Sequence, residues 1–358
     1  MHSSTPLPIT AAALAAAAGE PPKPKRQWLE VWKPSDFLSF DPPRDFILMG
    51  DCHLTRGNIT VLGGCPGVGK SRAAIGLAIA GATGRDWLGH PVHSRFRTLI
   101  IQIENGEWRL KNELGDALPA GGLDDWLRIT PPPVHGLAFS EAGFRERVVA
   151  IIDDFQPDLI IIDPWNRVAE GDKQGDYRQA LESILSCMPE DRNRKPAVLI
   201  IHHLRKKQGE ASRKQGRDLL QELAGSYQIG SAARCVFILE PGSNDTGDST
   251  VVLTCCKNND GKEGTPSAWI RSNGLFAPAR DFDMEGFAAG EGMAKGRSTP
   301  AEAVNRALQG MRGETKAAAV SRLTIAEICG KSKAYMILNS HPNIEEDSDG
   351  KLWWKDDP

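Results

Sequence analysis

Between Ile59 and Lys70 an apolar run gives way to Gly64-Cys65-Pro66-Gly67-Val68-Gly69-Lys70-Ser71, a full G-x-x-x-x-G-K-S, and then to a segment of helix formers. Strand, glycine-rich turn and helix in that order leave few folds open. The glycines let the backbone bend so that successive N–H groups face one anion, and the helix N-terminus behind them adds partial positive charge. The eight residues Gly64, Cys65, Pro66, Gly67, Val68, Gly69, Lys70 and Ser71 thus form a cradle for the phosphates of ATP. Lys70 is placed to reach the β- and γ-phosphates, and the Ser71 hydroxyl to bind Mg²⁺. A plain glycine turn has no need of Lys-Ser at its end.

Two acids fit the same chemistry. Asp158-Leu159-Ile160-Ile161-Ile162-Asp163 is a buried-strand pattern ending in a carboxylate. Asp163, at the strand's C-terminal end, is placed to hold the Mg²⁺ shell, whereas Asp158 opens the strand and reads as a solvated residue. Leu99-Ile100-Ile101-Gln102-Ile103-Glu104 is a second acid-tipped strand. A carboxylate there orients and deprotonates the water that attacks the γ-phosphate. The competing assignment for Glu104 is a cap on a helix starting at Asn105.

Strand and helix signals alternate through the middle of the chain. The expected strands are Ile59–Gly63, Thr98–Ile103, Leu159–Asp163, Ala197–His202, Cys235–Leu239 and Val251–Cys255, with helices at Lys70–Ala82, Glu141–Phe155 and Tyr177–Met188. Several strands are continuous apolar runs, as in a parallel sheet covered on both faces. The fold class is therefore α/β with a mostly parallel sheet. With 358 residues and 40% hydrophobic content the chain has material for a full core, and no apolar run approaches a membrane span. The net charge of −3 excludes a generally basic nucleic-acid binder, so any such surface is a local patch. Seven cysteines, an odd number without C-x-x-C spacing, argue against a disulfide framework and for the cytoplasm.

In this order the phosphate loop, Glu104 and Asp163 resemble the RecA-like P-loop ATPases, over about residues 45–276. Within them, Leu54-Thr55-Arg56-Gly57-Asn58-Ile59-Thr60-Val61-Leu62-Gly63-Gly64 and Leu199-Ile200-Ile201-His202-His203-Leu204-Arg205-Lys206 are similar to the RepA-type hexameric replicative helicases of plasmids and phages. The resemblance implies an ATP-hydrolysing helicase or translocase, a homo-oligomeric ring acting on single-stranded DNA in replication. It implies that His202 or His203 senses the γ-phosphate. It also implies that the basic stretch carrying Arg205, Lys206, Lys207, Arg213, Lys214 and Arg217 lines a channel for DNA. Lys and Arg at that density give salt-dependent, sequence-independent phosphate contacts. Gly225-Ser226-Tyr227-Gln228-Ile229-Gly230-Ser231-Ala232-Ala233-Arg234 looks like the family's next segment, with Ala224 where an arginine is expected. Arg234 and Lys257 remain as cations that a neighbouring subunit inserts into the ATP site, Lys257 being the preferred one.

Around this core, residues 28–276, the sequence suggests a flexible tail over residues 1–27, a Gly/Ala-rich linker over 277–300 and a small winged-helix-like domain over 301–358. That last domain is expected to hold helices at Ala301–Met311, Thr324–Ile328 and Ser332–Asn339. A hairpin, Ile344–Glu346 with Leu352–Lys355, follows them. Lys331, Lys333 and Lys351 there suit duplex phosphates, Trp353 and Trp354 suit packing of the wing, and Glu345-Glu346-Asp347 keeps a protein partner open. Two other readings compete with a DNA motor: a RecA-like ATPase that controls assembly or recruitment on DNA without unwinding, and a non-enzymatic winged-helix regulator with a nucleotide switch. A water-positioning Glu104 speaks against the switch.

Overall fold

The computed structural model describes residues 30–117, 122–168, 174–205, 214–223, 227–243, 245, 247–272, 274–289, 301–326, 328 and 331–355. A short antiparallel pair, β1 (Ile47–Met49) and β2 (Leu54–Thr55), precedes the main sheet. The apolar runs then form β3 (Ile59–Gly64), β4 (Thr98–Gln102), β5 (Leu127–Ile129), β6 (Leu159–Asp163), β7 (Ala197–His203) and β8 (Cys235–Pro241). These pair in parallel in the order β8-β3-β7-β6-β4-β5. On the β8 side β9 (Thr250–Asn258), β10 (Ser267–Ser272) and β11 (Leu275–Pro278) extend the sheet as antiparallel strands to nine in all. This is a RecA-like α/β fold, with the strand that carries the phosphate loop paired on both sides and β7 standing between it and β6.

Why continuous apolar runs rather than alternating ones is visible in β6. Leu159 and Ile161 pack into one core with the helix after the phosphate loop, and Ile160 and Ile162 into a second core on the other face. Successive side chains of a strand point to opposite faces, so a sheet buried on both sides needs apolar residues at every position. Helix α1 (Pro34–Leu38) belongs to a separate N-terminal unit ending at Pro43, where Asp36 accepts a bond from Lys33 N. Among the described residues before Ala301, the helices of the main unit are α2 (Lys70–Thr83), α3 (Glu107–Ala117), α4 (Ala142–Phe155), α5 (Gln174–Leu185), α6 (Tyr227–Ala232) and α7 (Met284–Ala288).

Helix α2 is packed tightly enough to need glycine on its inner face. A Cβ at Gly81 would enter the ring of Phe96, which is fully buried. Gly81→Ala is expected to destabilise the protein by about 1–3 kcal/mol despite the better helix propensity of alanine, because the ring has nowhere to move. A urea titration checks this, and an unchanged midpoint would contradict it.

Two sequence expectations are corrected here. Asp158 is not a solvated strand opener: its carboxylate accepts from Arg56 at 2.5 Å and from Arg97 N at 2.7 Å, and it fastens the segment before β3 to β6. The segment expected as a linker begins within β11, which pairs with β10, and continues into α7, capped by Asp283. The remainder of that segment and the proposed tail lie outside the described residues.

From Ala301 the elements run α8 (Ala301–Leu308), β12 (Arg312–Thr315), α9 (Lys316–Ile325), α10 (Lys331–Ser340), β13 (Ile344–Glu346) and β14 (Lys351–Trp354). The strands pair β12-β14-β13 and enclose a cluster of their own that includes Leu308, Met311, Leu323, Leu338 and Leu352. Strand β12 was not expected. The middle helix also starts earlier than Thr324, because the Thr315 hydroxyl accepts from Ala318 N and caps Lys316–Ile325. Trp354 packs on this cluster, while Trp353 is half-exposed and donates to Asp347 at 2.8 Å. No helix among the described residues is long and apolar enough to cross a membrane.

Candidate functional site

The turn after β3 needs backbone that only glycine adopts without strain. Gly67 and Gly69 have φ of 79° and 103°, and Gly69 forms the N-cap of α2. At Gly64 a Cβ would lie 2.7 Å from the carbonyl of Leu239 and 3.2 Å from the Lys70 side chain, so glycine there makes room for the lysine. Lys70 is buried, and its Nζ donates to the carbonyls of Gly64 and Cys65, each at 2.9 Å, and to His203 Nδ1 at 3.3 Å. Burial pushes the Lys70 ammonium below its ordinary pKa, and charges at Cys65, Asp163 and Glu104 oppose that. A lysine held at the loop by two carbonyls is ready to exchange them for phosphate oxygens.

Asp163 closes β6 beside this loop, although β7 lies between β6 and β3. The Ser71 hydroxyl donates to its carboxylate, while Oδ1 is buried without a hydrogen-bond partner among the described residues. Burial raises the Asp163 pKa to about 6; the Ser71 bond and the charges of Lys70 and Arg109 lower it, and Glu104 raises it. An orphaned carboxylate oxygen next to a hydroxyl and a phosphate cradle fits a divalent cation. Among the described residues no group of three His, Cys, Asp or Glu side chains could hold a metal. The fitting ion is one that completes its shell with phosphate oxygens and water, as Mg²⁺ does.

Glu104 stands on a bend after β4, exposed to the cavity. The bend is fixed by Gln102, whose amide donates to Asn105 O at 3.0 Å and Thr130 O at 2.8 Å and accepts from Asn105 N at 2.8 Å. The next helix, α3, begins at Glu107, so Glu104 does not cap a helix at Asn105. The two histidines part company by strand parity. His203, level with Gly64, shares the face of Leu199 and Ile201 and lines the cavity; His202, level with Gly63, faces the opposite core against Tyr177. Burial and the Lys70 charge lower the His203 pKa. With Lys70 donating to Nδ1, the neutral ring carries its proton on Nε2.

These side chains converge on a cavity of about 630 Å³, lined by Pro66, Gly67, Gly69, Lys70, Ser71, Arg72, Glu104, Arg109, Asp163, His203, Ser249 and Arg271. The volume lies within the range of about 300–1,000 Å³ common for small-molecule sites. Arg72, Arg109, Ser249 and Arg271 were not expected. Arg72 directly follows the loop serine and Arg109 lies five residues after Glu104, a local signal; Ser249 and Arg271 come from the β8–β9 loop and β10 and have none.

The remaining candidates are not gathered at this site within one subunit. Lys257 and Arg234 sit at the opposite end of the sheet, where β9 runs back beside the start of β8. Lys257 Nζ donates to the carbonyls of Gly230 (2.9 Å), Ser231 (3.3 Å) and Ala233 (2.6 Å), closing the end of α6; Arg234 pairs with Asp260 at 2.9 Å. In the basic stretch, Arg205 Nε donates to Leu223 O at 3.0 Å, Lys214 pairs with Glu222 at 2.6 Å and Arg217 with Glu263 at 2.9 Å. Lys206, Lys207 and Arg213 lie outside the described residues, as does Ala224.

A search of curated proteins finds no match to the chain. Among solved structures, a KaiC-like protein from the hyperthermophilic archaeon Pyrococcus horikoshii OT3 is similar, with a TM-score of 0.44 and 13% identity over 66% of this chain and 96% of that one. A family described as AAA domain matches residues 20–209, more than half of the sequence and all of the elements from the phosphate loop through His203. The chain belongs to that AAA-domain family, whose match takes in the phosphate loop.

Proposed function

We propose that this protein hydrolyses ATP with Mg²⁺ and uses the cycle to move along single-stranded DNA as a ring-forming oligomer. The observation that carries the ATPase part is the convergence of Lys70, the Ser71–Asp163 pair, Glu104 and His203 on one cavity. Ser71 and Asp163 would hold Mg²⁺, which when bound neutralises charge on the β- and γ-phosphates. Lys70 and the N–H groups of the loop bind the phosphates. Glu104, on its clamped bend, orients a water and takes its proton as it attacks.

Two features support the motor reading. His203 touches Lys70 and lies two residues before Arg205, so a change at the terminal phosphate reaches the basic stretch along one backbone. Arg234, half-exposed at the far end of the sheet, suits action on a neighbour, since a head-to-tail ring brings different surfaces of two subunits together. Its release breaks one surface ion pair, whereas Lys257 would leave three carbonyls. The second reading, an ATPase that governs assembly or recruitment, is favoured by the ion pairs that already occupy Lys214 and Arg217.

Steady-state ATP hydrolysis with and without single-stranded DNA separates the two, with Lys70→Ala as background. Stimulation of about tenfold that fades as salt rises is expected of the motor. Hydrolysis indifferent to DNA selects the recruitment ATPase, and none above the Lys70→Ala background overturns both.

A further inference from the structure

The cavity carries more positive charge than its phosphate loop explains. Besides Lys70 it is lined by Arg72, Arg109 and Arg271, against the carboxylates Glu104 and Asp163. The three arginines are held differently. Arg271 donates to the carbonyls of Gly67 at 3.2 Å and of Asp248 and Ser249 at 3.3 Å, which ties it to the phosphate loop and to the segment before β9. Arg72 and Arg109 share one acid: Glu113 Oε1 lies 3.2 Å from Arg109 Nε and 3.8 Å from Arg72 Nη2.

Glu113 is not a surface partner. Its side chain is 10% exposed, and Oε2 is buried with no hydrogen-bond partner among the described residues. It lies between Leu110 and Ala117 on the buried face of α3, where a carboxylate is costly unless it is paired. The spacing to Arg109 is one helical turn, so helix geometry sets the direction of the pair. The same turn of α3 is pinned from outside. Gly274, with φ of 73°, packs so closely that a Cβ would come within 2.8 Å of the Glu113 carbonyl.

Which phosphate Arg109 would meet follows from its neighbours. It lines the same cavity as Asp163 and Glu104, and its charge acts on Asp163, the residue that with Ser71 would hold the metal beside the outer phosphates. Arg271 is instead held on the Gly67 carbonyl of the loop. Arg109 lines the cavity and binds Glu113 through Nε, so its Nη groups are not taken up by that bond. We propose that Arg109 binds the terminal phosphate of ATP from within the same chain, and that Glu113 is the positioning residue that aims it. This rests on the ATP-binding reading above. A guanidinium fork suits a phosphate that presents several oxygens, and ADP has no such group at that place.

The test is equilibrium binding of ADP and of adenylyl imidodiphosphate, a non-hydrolysable ATP analogue, by calorimetry with Mg²⁺. Arg109→Ala is expected to weaken the analogue about ten- to a hundredfold and ADP by no more than about twofold. Arg109→Lys should recover part of the loss, since it restores the charge without the fork. Glu113→Gln keeps the shape and should give a smaller loss in the same direction, again for the analogue alone; its ADP affinity reports that the site is still folded. Equal losses for both nucleotides, or none, in Arg109→Ala would overturn the assignment of Arg109. Unchanged analogue binding in Glu113→Gln, beside a loss in Arg109→Ala, would remove Glu113 from it. Lys70→Ala keeps the two readings apart: if it leaves both affinities intact, the ATP site itself is wrong.

Discussion

Glu104→Gln is expected to bind ATP with affinity within about threefold of the parent and to turn it over about 10²–10⁴ times more slowly. The substitution keeps the size and removes the only thing hydrolysis needs from this side chain, a proton acceptor beside the attacking water. It should leave the geometry intact because Glu104 takes no part in the Gln102–Asn105 clamp that shapes the bend. Binding by nucleotide titration and single-turnover hydrolysis measure the two halves separately. Lys70→Ala gives the contrasting pattern, in which binding itself fails, because a buried ammonium already aimed at the loop is removed. A single-turnover rate for Glu104→Gln within about threefold of the parent would assign the water to another residue.

Asp163→Asn should separate stability from activity. The Asp163 carboxyl is held at a pKa of about 6 in the folded chain, chiefly by burial, against 3.8 ordinarily. A raised carboxyl pKa means that the folded state favours the proton. Its ionised form therefore costs stability, a cost that grows as pH rises from the ordinary value and is complete above about pH 6. The amide escapes it. Asp163→Asn is thus expected to make the nucleotide-free protein about 1–3 kcal/mol more stable near neutrality, with the gain vanishing below about pH 4. Its Mg²⁺-dependent hydrolysis should fall by about a hundredfold or more, since the amide is a neutral and poorer ligand for a hard cation. Urea unfolding across that pH range, paired with hydrolysis assays, tests both. Loss of stability at neutral pH would show that the Ser71 bond outweighs the burial of charge.

What could be read in the sequence was what chemistry imposes on neighbours in the chain. The loop from Gly64 to Ser71 is contiguous, and Glu104 and Asp163 each end an apolar run, so a strand assignment alone puts them at the same edge of a sheet. The histidine pair shows where such reading stops. Either residue suits the site by chemistry, and only the pairing of β7 with β3, which sets His203 level with Gly64, decides between them. Arg271 lies 204 residues from the Gly67 carbonyl it binds, and Asp158 lies 102 from Arg56. No local pattern announces partners that distant. Lys257 marks the same boundary: the sequence offers a lysine at a strand end, and only the fold sets it against the carbonyls where α6 ends. In the C-terminal lobe, Arg312–Thr315 is too short and too polar to announce a strand, and it exists because β14 offers it an edge.

The position of β3 between β7 and β8 has a consequence for turnover. Every residue from Thr60 to Gly64 is paired with a strand on each side, so the stem of the phosphate loop is gripped by both halves of the sheet. The configurational entropy of that stem is surrendered once, when the sheet condenses, and is not surrendered again with each molecule of ATP. Dipoles fixed in this way need not reorient as charge develops, which is how a site lowers a barrier without moving. The stiffness on which the proposed hydrolysis would draw thus resides in residues such as Val61 and Leu62, neither of which lines the cavity.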